Sequence, residues 1–156
     1  MMEYHLDKDY TMRVAEHLGN PKKEKIYNIY SIEEISEMSF SYPNCVLLMK
    51  APNSTQQRPT LGIPDTKFVL LNDRAKMITK APIRVIDLSL LELHNSRTFW
   101  DIGACTGSVS IEARRQYPHL NIQAFEVREE CKDIIRANAR LHSAPGIDLH
   151  ICLLYT

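Results

Sequence analysis

The sequence predicts an α/β protein whose larger, C-terminal part is built on a parallel sheet. Three observations predict it. From Thr98 onward, apolar segments follow one another as strand, helix, strand, helix, strand. A turn bounded by Gly103 and Gly107 joins the first of those strands to its helix. An acidic residue, Glu126, ends the second strand.

The chain has 156 residues, enough for one ordinary domain or for parts of two. Three sections separate along it: 1–50, a linker at 51–61, and 62–156. In the first, Thr11 to Ala15 and Lys25 to Tyr30 alternate as strands do. Ser31, with Glu34 three residues on, forms a capping-box pattern for a short helix reaching about Met38. Cys45 to Met49 is a continuous apolar run and reads as a buried strand. The linker, with Pro52, Asn53, Ser54, Thr55, Gln56, Gln57 and Pro59, has no apolar period.

In the third section a helix is expected after Thr79, with Pro82 in its first turn, where a missing N–H costs little. Ile83, Ile86, Leu90 and Leu93 recur at helical spacing and mark its expected buried face. The strand Thr98 to Ile102 follows, with Trp100 read as core. After the turn, Val109, Ala113 and Tyr117 share a helix face, while Glu112, Arg114 and Arg115 read as the exposed one. Asn121 to Glu126 is the next strand. A helix carrying Cys131, Ile134, Ile135 and Leu141 comes after it. Pro145-Gly146 breaks that helix, and a third strand begins at Asp148. Such a succession demands parallel pairing and right-handed crossovers.

Composition narrows the function. Lys plus Arg is 19 and Asp plus Glu is 19, so no basic excess invites nucleic acid. No apolar run approaches the ~20 residues that span a bilayer, so no membrane partner is expected. The four cysteines form no C-x-x-C pair and no His cluster has zinc spacing, so no metal site is expected. The reading is a cytoplasmic protein with reduced thiols. The Lys22 to Lys25 run reads as a solvated turn, and His119, beside Pro118, as solvated.

The candidate site is the turn. Gly103 lets the chain bend as it leaves the strand, and Gly107 lets the helix start approach a ligand. The helix N-terminus adds N–H groups and partial positive charge suited to an anionic group. Glu126 stands 19 positions after Gly107, a spacing that sets a carboxylate across the crevice, within reach of ribose hydroxyls. Cys105 has no paired His base and reads as a small loop residue rather than a nucleophile.

Asp101, Gly103 and Gly107 spell D-x-G-x-x-x-G. This resembles motif I of class I S-adenosylmethionine-dependent methyltransferases, usually D-x-G-x-G-x-G, and departs from it at Cys105. The resemblance implies a Rossmann-like domain binding S-adenosyl-L-methionine, with Asp101 helping to place the methionine amino group.

Gly62-Ile63-Pro64-Asp65, Met77-Ile78-Thr79-Lys80 with Arg84, Trp100-Asp101-Ile102-Gly103, and Gly107 to Ala113 narrow the resemblance further. In order and spacing they are similar to the C15-methylating, decarboxylating half of precorrin-6Y C5,15-methyltransferases of cobalamin biosynthesis. Arg136 to Arg140 and Ala144-Pro145-Gly146 agree. Val14 to Ile26 resembles the end of the tetrapyrrole methylase half that precedes it in the fused enzyme.

The resemblance implies cofactor contacts at Thr79, Asp101, Gly103, Ala104, Cys105, Thr106, Gly107 and Glu126. It also implies a precorrin substrate and a homo-oligomeric intact enzyme. No catalytic residue is assigned, because the macrocycle is its own electron sink. The third domain is expected to be incomplete, leaving the Thr98 strand at an open edge and the chain inactive alone. The rival readings are another class I methyltransferase, acting on a small molecule or RNA, and a non-catalytic cofactor-binding fragment. Zero net charge weighs against RNA.

Overall fold

The computed structural model describes residues 10–50, 60–74 and 76–152, with the side chains of Ile32 and Glu33 excepted. Most of the linker and residues 153–156 lie outside the described residues. The chain divides into two compact units, 1–57 and 58–156.

The first unit contains β1 (Tyr10–Glu16), β2 (Lys25–Ile29), α1 (Ile32–Ser36) and β3 (Asn44–Lys50). The strands pair antiparallel in the order β2-β1-β3, with Val14 of β1 opposite Tyr27 and Val46. Val14, Ala15 and Ile29 are buried. The apolar run of β3 is not buried as expected: Val46, Leu47 and Leu48 are exposed. A strand at the edge of a small antiparallel sheet is not covered on both faces, as a parallel-sheet strand would be. Lys22 and Lys23 lie in exposed turns.

The second unit contains α2 (Ala81–Leu90), β4 (Thr98–Ile102), α3 (Ser108–Gln116), β5 (Asn121–Glu126), α4 (Cys131–Leu141) and β6 (Ile147–Ile151). The strands are parallel, in the order β4-β5-β6, with Thr98 opposite Asn121 and Ile122 opposite Ile147. This is the predicted succession. Residues alternate between sheet faces. Phe99, Ile122 and Ala124 are buried, and pack with Leu88 of α2, Ala113 of α3, and Cys131 and Ile135 of α4 in two clusters. On the other face the rings of Trp100, Phe125 and His150 form a row, with centroids 5.4 and 4.8 Å apart. Trp100 is 59% exposed, so it is not core in the described structure.

Helix α2 corrects the sequence reading most sharply. Its first turn contains Pro82, as expected. Ile83, Ile86 and Leu90 nevertheless face outward, while Arg84 and Leu88 are buried. Arg84 has 0% exposure. Its Nε donates to Glu112 Oε1 at 2.6 Å and its Nη1 to Asp65 Oδ1 at 2.8 Å. The same guanidinium donates to the backbone carbonyls of Thr79 and Ile63, and lies 5.0 Å from the centroid of the Phe68 ring. Glu112, read as exposed, is 1% exposed. Its carboxylate also accepts from the N–H groups of Gly62 (2.6 Å) and Ile63 (3.2 Å). Arg114 and Arg115 are half-buried, and Arg114 donates to the carbonyls of Pro118 and Gly146. His119 is exposed, as expected.

The buried pair yields a prediction. Removing one partner strands a charge in the interior, a loss of about 3–5 kcal/mol. Arg84→Met and Glu112→Gln should each lower the urea midpoint of the second unit. The double variant should lose clearly less than the sum of the two singles. Additive losses below about 1 kcal/mol would show that the two side chains are not coupled.

Candidate functional site

The turn between β4 and α3 is left-handed at three positions: Gly103 (φ 85°), Cys105 (φ 47°) and Gly107 (φ 73°). Gly107 is required twice over. Its backbone is left-handed, and an added Cβ would lie 3.0 Å from Ile135 Cγ2. Cys105 adopts the conformation that the middle glycine of the D-x-G-x-G-x-G pattern would take more easily.

Most of the loop's N–H groups fix its own shape. Those of Gly103 and Ala104 donate to Phe125 O at 2.8 and 3.0 Å, and that of Gly107 to Ala104 O at 2.7 Å. The Cys105 N–H donates to Glu126 Oε2 at 2.8 Å. Asp101 Oδ2 accepts from Ser110 N (3.1 Å) and Ser110 Oγ (2.6 Å), so a carboxylate of the protein satisfies part of the α3 start. Burial pushes the Asp101 carboxyl above its ordinary range, against the Ser110 bonds.

Glu126 is 2% exposed. Besides Cys105, its carboxylate accepts from the N–H groups of Val127 (2.9 Å) and Arg128 (3.1 Å). Arg128 Nε and Nη2 grip its two oxygens at 2.9 Å each. Burial alone would raise this carboxyl; the Arg128 guanidinium and the backbone donors outweigh it and hold the group at about 2. Arg128 keeps 34% of its side chain exposed.

Two concavities meet at this loop. One, about 390 Å³, is bordered by Lys76 to Thr79, Asp101, Gly103 to Thr106, Val109 and Arg128. The other, about 290 Å³ and mostly apolar, is bordered by Ile102, Gly103, Phe125 to Arg128 and Cys152. Thr79, Asp101, Gly103, Ala104, Cys105 and Thr106 thus surround the first, and Glu126 the second, with Gly103 and Arg128 bordering both. Gly107 lies behind the wall, against α4. Thr106 is fully buried, and among the described residues its Oγ1 has no hydrogen-bond partner.

Sequence reasoning did not single out three residues. Arg128 is the clamp on Glu126, signalled only by a cation two positions after a strand-end acid. Ser110 ties Asp101 to α3. Asn138, fully buried, donates to the carbonyls of Thr106 (2.9 Å) and Val69 (3.0 Å) and accepts from Val69 N (2.7 Å). It joins α4 to the loop.

The Glu126 clamp predicts a pH effect. The free carboxyl titrates near 4.5 and the folded one near 2. Its contribution to stability should be complete above about pH 5.5 and be lost as pH falls from 4.5 towards 2. Urea midpoints of the parent and Glu126→Gln should therefore converge over that interval. Parallel profiles would show that the carboxylate is not held in its charged form.

The chain resembles known proteins. Residues 71–152 match the family model described as precorrin methyltransferase domain. The chain is 39% identical over 72 residues to cobalt-precorrin-6B C(15)-methyltransferase (decarboxylating) of Salmonella typhimurium, covering 46% of this chain and 38% of that protein. It is 37% identical over 81 residues to precorrin-6Y C(5,15)-methyltransferase [decarboxylating] of Mycobacterium tuberculosis, covering 49% of this chain and 21% of that protein. The crystal structure of precorrin-6y C5,15-methyltransferase from Geobacter metallireducens superposes with a TM-score of 0.55 at 35% identity, over 62% of this chain and 50% of that one. The chain therefore spans half or less of the length of these relatives. Among the described residues no helix is long and apolar enough to cross a membrane. The match includes the loop, Glu126 and Thr79 and extends over more than half of the chain, which belongs to the precorrin methyltransferase domain family.

Proposed function

We propose that the second unit binds S-adenosyl-L-methionine at the β4–α3 turn, and that the protein acts in C15 methylation and decarboxylation of a precorrin in cobalamin biosynthesis. The observation that carries this is the loop itself: a turn with three left-handed positions closing on a buried, ionised Glu126. The names of the relatives supply the reaction and the macrocyclic substrate.

The residues fit the donor. Asp101, Thr79 and the segment from Gly103 to Thr106 surround a concavity large enough for part of a nucleoside. Gly107 keeps α4 close behind the loop. Glu126 accepts the ribose hydroxyls only where they replace the Arg128 guanidinium, whose side chain is about one-third exposed. The apolar concavity beside Phe125 and Val127 suits the adenine ring.

When bound, the donor supplies a methyl group on a sulfonium. The chain's own work would be alignment, with Asp101, Thr79 and the β4–α3 turn holding the donor towards the macrocycle. Loss of carbon dioxide leaves an electron pair that the conjugated ring absorbs. Neither step requires a nucleophile from the chain. The first unit, with its β1–β2 hairpin formed from the Val14 to Ile26 stretch, is read as the end of a tetrapyrrole methylase half.

Titration calorimetry with S-adenosyl-L-methionine tests the reading. One site per chain is expected. Glu126→Gln should weaken it by roughly 10- to 100-fold, the cost of losing hydrogen bonds to a charged group. Gly107→Ala should weaken it as well, by moving the loop off Ile135. Absence of binding, or equal binding by parent and Glu126→Gln, would refute the assignment.

A further inference from the structure

Beneath the loop lies a group of three side chains, two of them shared with the proposed donor site, with the donor atoms of a cation site. Cys105 comes from the turn, Cys131 opens α4, and Glu126 ends β5. One Sγ from each cysteine and a carboxylate oxygen of Glu126 all lie within 4.8 Å of one another. Cys131 is fully buried, Cys105 is half-buried, and no cysteine is in a disulfide. We propose that Cys105, Cys131 and Glu126 form a binding site for a thiophilic divalent cation of the zinc and cadmium class. The proposal is independent of the donor reading, although the two ligands would share Cys105 and Glu126.

The geometry suits such an ion. Tetrahedral zinc with S at about 2.3 Å and O at about 2.1 Å sets its donors roughly 3.5–3.8 Å apart. The three atoms need to draw in by just over ~1 Å at most, and the ion replaces the bond that Cys105 Sγ donates to Met77 O at 3.0 Å. Two sulfur donors select a soft ion over magnesium or calcium, which demand oxygen. The charges also close: two thiolates and a carboxylate carry three negative charges, Arg128 one positive, and a divalent ion neutralises the rest. Cys105 borders the 390 Å³ concavity, which gives an ion its route and a water its place as fourth ligand.

Thiols ligate as thiolates, so binding exchanges thiol protons for the cation. Sequence spacing could not reveal this site, because Cys105 and Cys131 are 26 positions apart and come together only through the β4–α3–β5 crossover.

The test is titration of the reduced full chain with Co²⁺ and Cd²⁺, followed by thiolate-to-metal charge-transfer absorption. One ion per chain is expected, with proton release and displacement of Co²⁺ by Zn²⁺. The double variant Cys45→Ser/Cys152→Ser should keep the band. Cys105→Gly, which suits the left-handed backbone and should fold, must lose it, as must Cys131→Ala. Glu126→Gln should weaken binding at least tenfold. No band in the reduced parent would overturn the proposal. So would a band that survives in Cys105→Gly, or one that disappears with Cys45 and Cys152.

Discussion

The second unit depends on one fully buried cation. Arg84 lies inside α2 with no exposure, and a guanidinium in that position survives only if its donors find acceptors. They find Glu112 from α3, Asp65 from the segment ahead of α2, and the carbonyls of Ile63 and Thr79. Glu112 in turn receives the N–H groups of Gly62 and Ile63. The irregular stretch from Gly62 to Thr79, which lacks a long regular element, is thereby anchored to two helices. Its last residues, Lys76 to Thr79, wall the groove opposite the loop. A buried ion pair thus sets the shape of a surface site.

A second set of polar ties holds the loop from its other side. Glu126 takes the Cys105 N–H, Asp101 takes Ser110, and Asn138 takes the Thr106 carbonyl. Each joins the turn to a different element: β5, α3 and α4. Cys105, a non-glycine in the left-handed region, carries a conformational cost, and these bonds together with the Ile135 contact over-determine the loop against it. The outcome is a turn tied to three elements, with the Arg128 guanidinium closing the Glu126 carboxylate beside it. Under the proposed function, the ribose hydroxyls of the donor would take the place of that charged partner.

Much of this was legible in the sequence because its local signals agreed. The succession from Thr98 to Ile151 has alternating strands, a glycine-bounded turn and a Pro-Gly break, and the parallel order β4-β5-β6 follows from it. The sharp turn between β4 and α3 was legible for the same reason. What was not legible depended on partners distant in sequence. The spacing of Ile83, Ile86 and Leu90 looks like a core stripe, yet Arg84 takes the inner face because Glu112 and Asp65 wait there. Glu112 looked like surface until Arg84 was placed beside it. Trp100 looked like core by hydrophobicity, but the sheet face it occupies is uncovered among the described residues. Arg128 carried too little local pattern to stand out.

The most direct measurement is a crystal structure of the full chain with S-adenosylhomocysteine, the product of methyl transfer. Both ribose hydroxyls should lie within hydrogen-bond distance of Glu126, with Arg128 released and the amino-acid end between Asp101 and Thr79. A nucleoside bound away from the β4–α3 turn, or a Glu126 still gripped by Arg128 with the ligand in place, would contradict it.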